Sequence, residues 1–110
     1  MAMAMMMPQK NVLLVISNRE KLQVVASCLL NQNLMVDFVP NTLELLHRLE
    51  ETVIDLIVCE LDSPWIEQQA LLQMIETVNP RANIKLVWLA EKFNPRRVAT
   101  IVSSMLTDKR

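Results

Sequence analysis

Residues 55–64 read "DLIVCELDSP", and the fold turns on this stretch. Leu56, Ile57, Val58 and Cys59 follow one another without a polar break between Asp55 and Glu60. An apolar run that does not alternate marks a strand covered on both faces, as at the centre of a parallel sheet. The expected strand spans 54–60. Its exit carries Glu60, Asp62 and Pro64, so it delivers acidic side chains to the carboxyl edge of the sheet, where ligands bind in open α/β folds. The question is whether those acids form a reacting site or only the frame of one.

The same grammar repeats on either side. "NVLLVI" at 11–16 reads as a strand, and "SNRE" after it places Ser17 and Glu20 at capping-box spacing. Leu22, Val25, Ala26, Leu29 and Leu30 then recur on one helical face. "LMVDFV" at 34–39 is a second strand, followed by Asn41 as a cap and by Leu45, Leu46 and Leu49 as a buried stripe ending near Glu51. After the third strand, a helix over 66–78 turns Leu71, Met74, Ile75 and Val78 inward, and Asn79 and Pro80 end it. "IKLVWLA" at 84–90 is a fourth strand. A last helix starts with Asn94 as cap and Pro95 in first position, and buries Val98, Ile101, Val102, Met105 and Leu106. Four strand-then-helix units with short links predict an α/β fold with a parallel sheet and right-handed crossovers.

The totals agree with one such domain. The chain has 110 residues, 52% of them hydrophobic and 21% charged, enough for a single core and too apolar for a disordered segment. Its longest apolar run in the body, "VLLVI" at 12–16, is far shorter than the roughly 20 residues of a membrane-spanning helix. "MAMAMMMP" at 1–8 lacks a charged start and reads as a flexible terminus or cloning remnant. The domain is expected over 9–107, with a frayed tail at 108–110.

Cys28 and Cys59 sit among aliphatic residues, as buried structural thiols do, which favours a reducing, cytoplasmic setting. With the single histidine, His47, they make no metal-ligand spacing. There is no glycine at all, so the backbone turns of phosphate-cradling loops are missing and no nucleotide cofactor is expected. The net charge of −1 argues against direct nucleic-acid binding, although 79–110 carries seven bases against two acids.

From about 10 to 106 these residues resemble the receiver domain of bacterial response regulators, the flavodoxin-like fold typified by CheY. "NVLLVISN" is similar to the first receiver strand and its exit, "DLIVCELDSP" to the strand bearing the phosphoacceptor, and "ANIKLVWLAE" to the strand ending in a switch hydroxyl. The resemblance implies strand order 2-1-3-4 in a truncated fold of about four strands and four helices. It implies also that a receiver's Mg²⁺-binding acids correspond to Ile16 and Ser17, its acceptor aspartate to Glu60 and its hydroxyl to Ala90. None of the four keeps the required chemistry, and no fifth strand or helix follows "SSMLTDKR" to carry the family's lysine. Asp62, two residues past the acceptor position, reads as a solvated loop acid, and His47 as a surface histidine. The expected domain is therefore not an enzyme and holds no metal or cofactor.

With its last units missing, a receiver would leave one sheet face half bare, unless the final helix shifted, and its fourth strand would be an open edge. The bare region calls for a partner or a neighbouring domain. Trp65, Lys92, Phe93, Arg96 and Arg97 are the expected partner-binding residues, since aromatics and arginines dominate binding hot spots; Trp88 is expected in the core. The chain is also similar to the α/β/loop domain of the phosphotransfer protein of the Rcs phosphorelay. That resemblance implies a docking domain beside a histidine phosphotransfer domain, in a parent anchored in the inner membrane, with no membrane contact of its own. Its partner would be a response regulator, bound through the receiver or the DNA-binding part. The alternative is a stand-alone pseudo-receiver that dimerises through its fourth helix and open edge.

Overall fold

The computed structural model describes residues 9–64, 66–81 and 83–107. The elements run β1 (Lys10–Val15), α1 (Arg19–Leu29), β2 (Leu34–Phe38), α2 (Thr42–Glu51), β3 (Leu56–Glu60), α3 (Gln68–Val78), β4 (Lys85–Leu89) and α4 (Pro95–Thr107). All strand pairs are parallel and the sheet order is β2-β1-β3-β4. β3 is buried at every residue, as its unbroken apolar run predicts. The expected termini 1–8 and 108–110 lie outside the described residues.

Because side chains alternate along a strand, β1 and β3 supply both cores. Val12, Leu14, Ile16, Leu56 and Val58 join Val25 and Leu29 of α1 and Val98 and Val102 of α4 on one face. On the other, Leu13, Val15, Ile57 and Cys59 meet Leu45 and Leu49 of α2 and Leu71 of α3. The final helix thus packs beside α1, the place a receiver gives its last helix. The α1 face is filled, and it is the opposite face of β4 that has no helix of its own beyond α3. There Ile84, Leu86 and Trp88 remain half-buried at the margin of the second core.

The helix caps follow the sequence with one exception. Asn41 accepts from the Glu44 amide at 2.9 Å, and Asn94 accepts from Arg96 at 2.9 Å with Pro95 first in α4. For α1, however, the cap is Asn18, which accepts from the Lys21 amide at 2.9 Å, and not Ser17. α1 also ends earlier than its stripe suggests. Leu30 passes into a 3-10 turn and is 66% exposed. Asn33 then takes the left-handed conformation at φ 55° that glycine supplies in most chains, a role asparagine tolerates. Ile101 is the other departure: it lies at the margin of its helix stripe and is 45% exposed.

The two faces make a simple prediction on α3. Leu71→Ala empties a fully buried site and lowers unfolding free energy by about 2–5 kcal/mol, whereas Leu72→Ala, at an exposed neighbour, costs under about 1 kcal/mol. Urea unfolding followed by circular dichroism checks both values.

Candidate functional site

The carboxyl ends of β1 and β3 meet at Glu60. Even numbering along β3 turns its side chain to the α1 face, and it is only 7% exposed. A buried carboxylate needs donors, and the exit of β1 provides them. Ser17 donates its backbone N–H to Glu60 Oε1 at 2.8 Å and its hydroxyl to the same oxygen at 2.9 Å. Lys21, one turn into α1, places Nζ 3.9 Å from Oε2. The start of α1 adds a favourable dipole for a negative group. Ser17 lies one residue before the cap position, which Asn18 fills, and turns its hydroxyl to Glu60.

Around this cross-link lies a small cavity of about 230 Å³ lined by Lys21, Glu60, Asp62, Leu89 and Glu91. Asp62 and Glu91 are exposed at its rim. Ile16, in the first of the two metal-acid positions, is 3% exposed and part of the core. Ala90 sits exposed at the end of β4 and brings no hydroxyl. A divalent cation does not fit this donor set. One required ligand is an alkyl group, the neighbouring hydroxyl hydrogen is committed to Glu60, and an ammonium group already supplies positive charge. Among the described residues no three His, Cys, Asp or Glu side chains are grouped to hold a metal. What the arrangement does chemically is hold one carboxylate still.

Cys59 precedes Glu60 and points to the other core. Burial, with the Glu60 charge adding to it, pushes its thiol up from 9.0 to about 12. Cys28 is only half-buried and lines an open groove, so the expectation of two buried thiols holds for Cys59 alone. That groove, about 720 Å³, runs between α1 and the start of α4, and Gln23, Val24, Ser27, Cys28, Asn94, Pro95 and Arg96 line it.

Of the residues expected to bind a partner, Arg96 lines this groove, and Arg97 lies beyond it with Thr100 and Ile101. Lys92 is exposed on the loop before. Phe93 is half-buried against the α1-side core. Trp65 lies outside the described residues. His47 is exposed on α2. Sequence reasoning missed Lys21 as a Glu60 partner and missed the α1 wall of the groove. The first could have been found, since a buried strand-end acid beside β1 must draw donors from "ISNREK", the segment that leaves β1.

No family model matches the chain, and no curated protein matches it. Solved structures do. A response regulator receiver domain protein of Bacillus halodurans superposes with TM-score 0.75 at 12% identity, over 89% of this chain and 97% of that one. The fold is that of a receiver domain. A CheY-like receiver domain protein of Methanospirillum hungatei gives 0.75 at 16% identity, over 90% and 94% of the two chains. A chemotaxis response regulator of Vibrio cholerae gives 0.74 at 15%, over 89% and 99%. Likeness at this level of identity speaks for the receiver fold alone, and the residues of the site carry the rest.

Two outcomes follow from the site. Ser17→Ala leaves a buried carboxylate short of a donor and lowers stability by about 1–3 kcal/mol, while Lys21→Met, at a partly exposed pair, costs about 0–1 kcal/mol; urea midpoints separate them. The second concerns alkali. The folded Cys59 thiol stays protonated to about 12 whereas the unfolded one ionises near 9.0, so its contribution to stability is whole below pH 9 and is lost as pH rises toward 12. The unfolding free energy measured across that range falls more steeply for the wild type than for Cys59→Ala.

Proposed function

We propose that this domain is a non-catalytic docking module of a bacterial two-component phosphorelay, which binds a response regulator without itself being phosphorylated. The observation that carries the reading is the pair of Ser17 bonds to Glu60. At the position where a receiver offers a reactive aspartate, this chain has a longer acid whose oxygen is already doubly hydrogen-bonded within the fold. With the site turned inward to structure, what the receiver scaffold offers to other molecules is its surface.

The surface we assign is the α1/α4 groove and the basic start of α4. Val24 is 41% exposed on one wall. Arg96 and Arg97 stand exposed on α4, and among the described residues the ion pairs are Lys21–Glu60 and Arg48–Asp37, neither of which uses them. An apolar floor beside arginines free to pair is the composition of an interface hot spot. A parent chain holding a histidine phosphotransfer domain next to this one, in the cytoplasm and anchored to the inner membrane, would raise the local regulator concentration to about millimolar with a short linker. No helix among the described residues is long and apolar enough to cross a membrane.

Amide spectra of the labelled domain, titrated with response regulators whole and as separate receiver and DNA-binding parts, test this. Shifts gather on α1 and the first turns of α4, and the double change Arg96→Glu with Arg97→Glu weakens binding by about tenfold or more. Unchanged spectra with every regulator tried would refute the docking role.

A further inference from the structure

We infer that the partner segment this domain takes is an acidic amphipathic helix, laid along the α1/α4 groove with its apolar face on Val24 and Pro95 and its carboxylates over Arg96 and Arg97. The inference rests on the docking reading above for its place, the groove, and adds the chemistry of what fills it. Val24 is 41% exposed on the α1 wall, and the other α1 residues of that wall, Gln23, Ser27 and Cys28, carry no charge. Among the described residues that line the groove, the charged one is Arg96, on the α4 side. Arg96 also lines the open depression next to it, with Arg97, Thr100 and Ile101, so the groove and the basic depression meet at this side chain. A fitting occupant is therefore apolar toward α1 and negative toward α4.

The groups around the two arginines are already committed within α4. The Arg96 and Arg97 amides donate to Asn94 Oδ1 at 2.9 and 3.4 Å, and the Thr100 hydroxyl donates to the Arg96 carbonyl at 3.0 Å. The arginines themselves are exposed, and the ion pairs among the described residues do not use them. Charge is also divided between the two sides of the sheet. Apart from Lys21, which Glu60 matches, α1 and α4 carry Arg19, Arg96 and Arg97 against Glu20. On the other face, α2 and α3 carry Glu44, Glu50, Glu51 and Glu76 against Arg48. An acidic segment is drawn to the first face and repelled from the second.

The walls decide the shape of the occupant. Helices use their main-chain groups within themselves, so a groove between α1 and α4 offers no row of N–H and C=O groups to an extended strand. A helix brings its own hydrogen bonds and needs only side-chain anchors at i, i+3, i+4 and i+7. A nucleic-acid backbone has the right sign of charge but the wrong chemistry for this floor. It would set phosphates on Val24 and Pro95, and it would find two arginines where duplex binders neutralise about six to ten phosphates.

Fluorescence anisotropy with a labelled helical peptide of about 15 residues tests the inference. The peptide carries a leucine stripe flanked on one side by glutamates, and two further versions carry glutamine or lysine at the glutamate positions. The glutamate peptide binds the whole chain about tenfold or more tightly than the lysine peptide, and weakens about tenfold between roughly 0.05 and 0.5 M salt. Arg96→Gln with Arg97→Gln abolishes the preference. Lys10→Gln with Arg81→Gln, the same change of charge at exposed sites on the opposite edge of the sheet, keeps it. Val24→Asp weakens the glutamate peptide by about tenfold while circular dichroism shows the fold unchanged. Equal affinity for the three peptides, a preference that survives the loss of Arg96 and Arg97, or a DNA duplex that displaces the peptide as well as the unlabelled peptide does, overturns the inference. In each of those cases the docking reading stands if regulators still shift the amides of α1 and α4. Regulators that shift nothing, with the glutamate peptide bound as described, refute that reading and leave the acidic helix as the occupant.

Discussion

Two carboxylates tie the third strand to the first, one at each end, and the rest of the fold hangs on that tie. At the amino end, Asp55 Oδ2 accepts from the Asn11 amide at 2.7 Å, and the Asp55 amide returns a bond to the Asn11 carbonyl at 2.9 Å. At the carboxyl end, Glu60 accepts twice from Ser17. Between them lie residues buried on both faces, so β1 and β3 together form the wall against which all four helices pack. Hydrogen bonds to charged acceptors are stronger than neutral ones and hold a geometry. Glu60, held by Ser17, is thereby part of the frame of the sheet.

Much of this could be read in the residues before any coordinates. The unbroken run from Leu56 to Cys59 marked the central strand, and the stripes on α2 and α3, the caps Asn41 and Asn94, and the proline stops marked most helices, because those signals are local. What could not be read depends on pairs distant in sequence. Ser17 looked like a cap, and nothing near it in the chain says that Glu60, 43 residues away, would claim its hydroxyl. Leu30 and Ile101 fit a helical stripe by spacing, yet one leaves its helix and the other stays 45% exposed. Phe93 read as a presented aromatic, and part of its ring packs against the α1-side core. The side of the sheet taken by α4 was likewise beyond spacing, since either face offered apolar area.

That choice of side has consequences. By lying beside α1, the last helix closes one core and creates a groove whose walls come from both ends of the chain, while the opposite face of β4 is left with a half-covered apolar strip. The fold thus presents an open groove beside the exposed Arg96 and Arg97, and a half-covered strip of Ile84, Leu86 and Trp88 at the margin of the second core.

The claim at the centre is that Glu60 is a fastening and not a phosphoacceptor. Intact-mass spectrometry of the chain after incubation with Mg²⁺ and a small-molecule phosphodonor measures this directly. The account predicts an unchanged mass under conditions that fully phosphorylate an active receiver in the same tube. A phosphoryl adduct on the folded chain, absent from Glu60→Gln, would contradict it.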